Sequence, residues 1–585
     1  MANLIKVTID NKVVEVEKGA TILDAAYKAG VDIPRLCFLK KINETSACRL
    51  CVVEVEGIKT LKNSCCVAAT DGMVVHTNTP RVRASVVQNL KLLAANHKFE
   101  CWKCPREHNC EFLKLLRRYN IDNTIAEYKH HKTKDYIINI SDSLVIDSSK
   151  CVLCGRCIST CEKLAGTNVL NFNYRGSKTY VGPALNHNIE DAGCIFCGKC
   201  IQACPTGALR EKTDVEVAQG YIENPEYYTV VQMAPAVRAA LGEEFGMKMG
   251  TNVEGKMYHA LKLLGFDDIS DVNFAADVTI MEEGTEFINR LTNGGVLPLF
   301  TSCSPGWIRY IERYYPEYLP NLSSCKSPQQ IQGALTKHYW AEKIGVSKDK
   351  IKVVSIMPCI AKKHEAKRPE METDGIRDVD CVLTTRELAR WIKNADINFR
   401  DLEDYTPTSP ISKYTGAGVI FGVTGGVMEA ALRTVYNILE GKNLESLDVH
   451  PVRGMENIKE ATITVAGQEV NVAVVHGAAN MPEMMELIKK GEKQYHFVEF
   501  MGCTGGCVNG GGQPIVNALV QDNVDVRAER AKALYNIDTQ SQLRQSHENP
   551  AVIALYEEFL GKPNSHKAHE LLHTTYSKKT VYNID

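Results

Sequence analysis

Apolar and polar residues alternate with a period of two at the start of the chain, in "IKVTIDNKVVEVE" around an Asp-Asn pair. This pattern predicts two half-buried strands joined by a tight turn. "TILDAAYKAG" then takes helical spacing and is closed by Gly30. A cysteine-rich loop follows from Cys37 to Cys65, and "RVRASVVQNLKLLAANH" predicts a helix. Residues 111–140 are polar and mixed. Between 141 and 210 two similar halves occur, CVLCGRCISTC and CIFCGKCIQAC, the mark of one structural unit used twice. "EKTDVEVAQGYIENPEYY" predicts a linker. From Tyr228 apolar strands alternate with helices, in "YTVVQMAP", "VLPLFTSC", "IKVVSIMPC", "GVIFGVTGG" and "YHFVEFMGC", which predicts α/β texture. Each of these strands runs into Pro, Gly or Cys, so their loops are expected to gather at one end of a sheet.

Length and charge narrow the possibilities. A chain of 585 residues is too long for one core and suggests about four domains. The boundaries expected are 1–79, 80–140, 141–220 and 221–585. Basic and acidic residues balance at 68 and 70, so there is no charge argument for nucleic acid or an anionic membrane surface. No apolar run approaches the roughly 18 residues of a membrane span. The first residues lack the basic-then-apolar order of a secretion signal, so a cytoplasmic protein is expected. In that compartment the 22 cysteines need a purpose other than disulfides, and short spacings point to metal or catalysis.

The cysteines fall into spaced groups. Cys37, Cys48, Cys51 and Cys65 form a long gap, a CxxC pair and a distant fourth thiol. This resembles plant-type 2Fe-2S ferredoxins, whose cluster takes four thiolates, and implies a β-grasp fold. The neighbouring Cys66 is an alternative fourth ligand. His97, Cys101, Cys104 and Cys110 follow. A Cys₃His set also suits zinc, but the order resembles the His-ligated 4Fe-4S site of FeFe hydrogenases and of the large iron–sulfur subunit of NADH dehydrogenase. The two repeated halves resemble the bacterial two-cluster ferredoxin run, where the fourth Cys of each half serves the other cluster. On that pattern Cys151, Cys154, Cys157 and Cys204 hold one cubane, and Cys194, Cys197, Cys200 and Cys161 the second.

Three motifs lie beyond these groups: "FTSCSPGW", "MPCIAKKHEAKRPE" and "EFMGCTGGCVNGGGQP". Together with the cluster modules they resemble the FeFe hydrogenases, multi-cluster clostridial type, over essentially the whole chain. The implied architecture is α/β and α+β multidomain. It comprises a β-grasp 2Fe-2S domain, a small helical His-Cys cluster domain, a two-4Fe-4S ferredoxin domain and a large α/β H-cluster domain. The implied cofactors are one 2Fe-2S cluster, three accessory 4Fe-4S clusters, and an H-cluster. The H-cluster joins a 4Fe-4S cubane to a di-iron subsite carrying CO, cyanide and azadithiolate. The implied reaction is 2H⁺ + 2e⁻ ⇌ H₂.

The resemblance also implies residue roles. Cys359, Cys503 and Cys507 supply cubane thiolates. Protons pass along Cys303, Glu283, Ser323 and Glu286, with Arg290 near the surface. Lys362, Met357, Met501, Pro235 and Gln329 line the di-iron pocket, and Ala236 stands where a Ser is common. One departure matters: the family reads TSCCP where this chain has TSCSP, so Ser304 occupies the position of the fourth cubane ligand. A thiolate is the softer donor and suits iron–sulfur sites better. Cys325, in "NLSSCKSPQQ", is therefore expected to take that role, with oxygen ligation by Ser304 as the alternative. Electrons are expected from ferredoxin or from flavin- and NAD(P)-binding partner subunits, since no G-x-G-x-x-G fingerprint is present. Hydrogenase maturation proteins are implied too. The competing readings are a subunit of an NAD(P)-linked, electron-bifurcating complex and a non-catalytic iron–sulfur scaffold or electron-transfer subunit.

Overall fold

The computed structural model describes residues 3–121, 138–465 and 467–582. Strands Leu4–Ile9 and Lys12–Glu17 pair antiparallel. Their turn is Asp10-Asn11, both at positive φ, a conformation asparagine and aspartate tolerate. Thr21 closes a capping box with Asp24 and starts the helix Ile22–Lys28. The first strand also pairs in parallel with Val74–His76, completing a five-stranded sheet around that helix.

The segment 111–140 is more ordered than its polar composition suggests. Glu111–Arg118 is a helix that buries Phe112 and Leu116, four apart on one face. Ile138–Ile140 is a strand on the sheet of the two-cluster unit, paired with Leu144–Asp147. The rest of that expectation, residues 122–137, lies outside the described residues. The expected linker contains the helix Val215–Glu223. Its Ala218 is fully buried in the core of the large α/β domain, so that domain's packing begins before residue 221. "GVIFGVTGG" is not a strand: Gly416–Ile420 is a short buried helix. Short apolar runs do not distinguish a buried strand from a buried helix by periodicity.

The large domain holds two four-stranded sheets. In one, Asp268–Asp271, Tyr228–Met233, Ile351–Met357 and Cys381–Thr384 are all parallel. In the other, Leu299–Phe300, Phe497–Met501 and Gln468–His476 run parallel, and Ile458–Val465 closes the edge as an antiparallel hairpin. The parallel strands are almost wholly buried, as strands covered on both faces must be. A helix of 22 residues, Val272–Asn293, is capped by Asp271 and carries Glu282, Glu283, Glu286 and Arg290.

The two-cluster unit docks against this domain by backbone contact. A Cβ on Gly511 would lie 2.2 Å from the Cys197 carbonyl oxygen and 2.6 Å from Gly198 Cα. Neither backbone atom can retreat as a flexible side chain could. Gly511→Ala should therefore lower stability by about 1–3 kcal/mol through overpacking and loosen the two-cluster unit from the large domain. Chemical denaturation and limited proteolysis between 205 and 228 would read this; an unchanged midpoint and cleavage pattern would contradict it.

Candidate cluster sites and catalytic cavity

The cysteine groups are spatial groups. Cys37, Cys48, Cys51 and Cys65 are all buried, with Cys51 and Cys65 sulfurs 3.2 Å apart. Cys66 is exposed and its sulfur faces the Asn63 carbonyl, so the structure presents Cys65, not Cys66, to the first site. His97, Cys101, Cys104 and Cys110 line one small cavity. His97 Nδ1 lies 3.1 Å from the Lys150 carbonyl, the kind of contact that orients a ligating imidazole. Cys151, Cys154, Cys157 and Cys204 line another cavity, and Cys161 does not. Burial, then the neighbouring Cys197, Cys194 and Cys161, push the Cys200 thiol well above the ordinary range. Cys204 thus lies with the first half's cysteines, and Cys161 lies within electrostatic range of Cys194, Cys197 and Cys200.

The large domain contains a cavity lined by Cys303, Ser304, Cys359, Cys503 and Cys507. The C-terminal ends of four parallel strands, two from each sheet, deliver its walls. Pro235 follows Tyr228–Met233, and Met357 with Cys359 ends Ile351–Met357. Cys303 and Ser304 follow Leu299–Phe300. Met501 and Cys503 end Phe497–Met501, and Cys507 lies on the next turn. Gln329 and Lys362 complete the polar lining. The expectation that strand-end loops gather is met here, at the crevice where open α/β sheets place their ligands. Ala236 is buried next to the cavity wall, and its carbonyl accepts from Gln513 at 2.8 Å.

Glycine shapes the bed of this cavity. Gly506 has φ +88°, and a Cβ there would meet Thr424 N at 2.6 Å; one on Gly510 would lie 2.2 Å from the Pro358 carbonyl. The first approach seats the Cys503–Cys507 turn on residues 422–424, and the second draws it onto Pro358, next to Cys359. Burial, and next the proximity of Cys503, push the Cys507 thiol up to about 12, and the Cys359 thiol rises for the same reasons. Three crowded soft donors, each of which a metal would bind as thiolate, fit an iron–sulfur cubane. Two further polar donors line the cavity, the Cys303 thiol and the Ser304 hydroxyl. Ser304 lines the wall, and its Oγ accepts from the Gly502 N–H at 3.1 Å. Cys325 is elsewhere, fully buried among Phe274, Val278, Leu335, Leu555 and Leu572. The reason is its backbone: its N–H donates to Ser323 Oγ, its carbonyl accepts from Ser302, and it bridges to His573.

Four of the expected proton carriers, Glu283, Ser323, Glu286 and Arg290, are linked by hydrogen bonds, and Cys303 lies within electrostatic range of Glu283. Ser323 Oγ donates to Glu286 Oε2 at 2.9 Å, and Arg290 donates to Glu286 Oε1 at 2.6 Å. Burial first, then the Glu286 charge, raise the Glu283 carboxyl to about 8, with Ser323 and the Ser302 backbone opposing. Burial, then Glu283, push the Cys303 thiol well up, while Lys362 pulls it down. Lys362 Nζ donates to Cys303 O at 3.1 Å and to both Glu365 oxygens.

The comparisons with known proteins agree with this geometry. Residues 227–511 match the model for the iron only hydrogenase large subunit, C-terminal domain, and 524–579 match the iron hydrogenase small subunit. Residues 2–80 match a 2Fe-2S iron-sulfur cluster binding domain, and 150–208 a 4Fe-4S dicluster domain. Iron hydrogenase 1 of Clostridium pasteurianum is 46% identical over 96% of this chain and 98% of its own. The chain belongs to the iron-only hydrogenase family. The NADP-reducing hydrogenase subunit HndD of Solidesulfovibrio fructosivorans is 44% identical over 99% of both chains. A solved variant of [FeFe]-hydrogenase HydA1 from Chlamydomonas reinhardtii is 40% identical, with a TM-score of 0.57, and covers 63% of this chain and 100% of its own. This hydrogenase is thus an oxidoreductase that joins 2Fe-2S and 4Fe-4S domains to an H-cluster domain.

Several residues at the hydrogenase site were not singled out from sequence. Phe421 and Pro328 line the cavity. Glu499 accepts from the Gly425 and Met428 N–H groups, each at 2.7 Å, and so pins the glycine-rich turn to the cavity floor. A lone acidic residue inside the buried strand "FVEFM" was the available signal. Glu283 gives a pH test. Its folded carboxyl holds a proton up to about 8, while the unfolded one releases it near 4.5. The folded state binds the extra proton between those values, so this group's contribution makes stability fall as pH rises through the window. Glu283→Gln should flatten that fall when denaturation midpoints are compared at about pH 5 and 8; an unchanged slope would contradict the assignment.

Proposed function

We propose that the cavity binds the H-cluster, with Cys359, Cys503 and Cys507 as cubane thiolates and Ser304 at the fourth position. The observation that carries this is the convergence of those side chains with Cys303 and Lys362 on one glycine-lined cavity. When bound, the di-iron subsite supplies the redox chemistry that combines two protons with two electrons. The protein's share is to hold the cofactor, move protons and exclude water. Lys362, held between Glu365 and the Cys303 carbonyl, places a fixed cation at the cavity edge. Met357, Met501, Pro235 and Gln329 pack the rest, with Ala236 behind them.

Protons move between Cys303 and Glu286. Glu283 sits midway, and a carboxyl raised to about 8 can give and take a proton at neutral pH. Ser323 bridges it to Glu286, whose other oxygen is held by Arg290.

Electrons arrive through the four accessory sites. Cys37, Cys48, Cys51 and Cys65 hold the 2Fe-2S cluster, and His97 with Cys101, Cys104 and Cys110 the next. The crossed cysteine sets hold the two cubanes, within the domains bounded near 1–79, 80–140, 141–220 and 221–585. The Cys194–Cys204 half abuts the cavity: Gly198 packs on Ile360 and Gly511, and Cys503 raises the Cys197 thiol, after burial and Cys194. At about 59 mV per pH unit the proton couple lies at roughly −0.41 V at pH 7. Plant-type 2Fe-2S clusters lie near about −400 mV, so electrons can run either way. Ferredoxin is one partner this matches. Likeness to HndD along both whole chains supports a second reading, in which flavin- and NAD(P)-binding subunits feed the first cluster. Maturation proteins would install the di-iron unit. Among the described residues no helix is long and apolar enough to cross a membrane, which is consistent with a cytoplasmic location.

Cys303→Ala should slow hydrogen turnover by about 10²–10⁴-fold while iron content stays at the wild-type level. Wild-type turnover in that variant would remove Cys303 from the route. Cys325→Ala should retain the cubane, and Ser304→Cys should shift its electron paramagnetic resonance signal as a thiolate replaces oxygen. Loss of the cubane in Cys325→Ala, with no spectral change in Ser304→Cys, would restore Cys325 as the ligand.

A further inference from the structure

The proposed proton route meets a second chain of polar groups at its outer end. Glu286 accepts at Oε2 from Ser323 and also, at 3.3 Å, from the Ser324 hydroxyl. Ser324 Oγ lies 2.8 Å from His573 Nδ1, and His573 Nε2 lies 3.0 Å from Glu282 Oε2. Tyr556 Oη and the Asn564 N–H donate to the same Glu282 carboxylate at 2.5 and 2.8 Å. His573 is only 8% exposed, but its ring lies 4.0 Å, centroid to centroid, from that of His569, which is exposed. Imidazole is the side chain that changes charge near neutral pH. His573, Tyr556 and His569 all come from the segment matched by the small-subunit model, whereas Glu282, Glu286 and Ser324 come from the large-subunit part.

Arg290 is poorly suited to the outer position. Its guanidinium donates to Glu286 and to the carbonyls of Val296, Pro320, Asn321 and Leu322. A guanidinium stays protonated at any working pH and offers no acceptor. It covers Glu286, whose side chain keeps 13% of its exposure, as a fixed cation rather than as a carrier.

We propose that the small-subunit-like tail supplies the outer end of the proton route: His573, reached from Glu286 through Ser324, exchanges protons with bulk water beside His569. This rests on the Cys303-to-Glu286 reading above. Outward, the Glu286 carboxyl gives its proton to Ser324 Oγ as that hydroxyl gives its own to His573 Nδ1. The imidazolium then releases a proton from Nε2 to Glu282 or to water. Inward transfer reverses each step, and no electron moves. The charged and titratable groups around His573 are Glu282 and Glu286 on the long helix, Arg290 paired with Glu286, and Tyr556, which shares Glu282. His569 and His566 lie on its own helix, and Cys325 lies across the β-bridge.

The test uses the full, matured enzyme. His573→Gln keeps hydrogen-bonding atoms at that place but carries no titrating proton, and Ser324→Ala cuts the link to Glu286. Each should lower hydrogen evolution at pH 7 by about tenfold or more, with wild-type iron content and cofactor infrared bands. His573→Gln should also change the shape of the rate–pH profile near neutrality. In His573→Ala, added imidazole should restore turnover in a concentration-dependent way. A wild-type rate and pH profile in His573→Gln would overturn the proposal, because Glu286 would then exchange directly with water. A slow His573→Ala enzyme that imidazole does not rescue would overturn it too, because His573 would then be structural. Glu286→Gln separates the two levels: wild-type turnover in that variant would defeat the underlying route, whatever His573 does.

Discussion

Close passage of backbone on backbone at glycine is the constraint on which this hydrogenase depends. The turn from Gly502 to Gly512 lies against Pro358 on one side and against Cys197 and Gly198 on the other. The first contact brings Cys503 and Cys507 onto Cys359. The second sets the nearest accessory site against the same wall. One bare stretch of chain thus builds the cofactor bed and its electrical contact, and a single Cβ at Gly510 or Gly511 would push both apart. A residue with a side chain could not serve here.

Charge around the cavity follows from the same burial. Thiols crowded in an apolar interior hold their protons tightly, so their ionised forms await metal. Lys362 lines the same cavity as that crowd, and Glu365 fixes it. Burial raises the Glu499 carboxyl as well, opposed by the Met428 and Gly425 N–H groups that it accepts from at the start of the helix Gly426–Glu440. Glu283 has fewer donors and a like charge nearby, so burial wins and its proton stays. Two buried glutamates in one site thus differ in their surroundings: Glu499 is held on backbone donors, and Glu283 lies beside the like charge of Glu286.

Much of this was legible in the residues. The first strand pair, the repeated cysteine halves and the gathering of strand-end loops follow from period, repeat and loop composition, whereas the β-grasp fold and the crossed cysteine sets were implied by resemblance to ferredoxins. The helix Val215–Glu223 was hidden because it is short, carries Gly220 in its interior and runs into Asn224-Pro225, although Ala218 is buried. Gly416–Ile420 looked like a strand because five small and branched apolar residues carry no helical period. The position of Cys325 could not be read at all. Softness of sulfur favours it as a ligand, but backbone bonds to Ser302 and Ser323 and the bridge to His573 hold it in a separate apolar cluster. Nor could sequence show that His573, some 250 positions from Ser324, lies within hydrogen-bond reach of it. Only the packing of the tail on the long helix does that.

The account stands on the claim that this cavity holds a mixed iron cofactor with diatomic ligands. Infrared absorption of the matured enzyme tests it most directly. Bands in the CO and cyanide stretching region that shift under hydrogen are the predicted result. A spectrum silent in that region, from protein with its full iron complement, would contradict it and leave only a relay of thiolate-bound clusters.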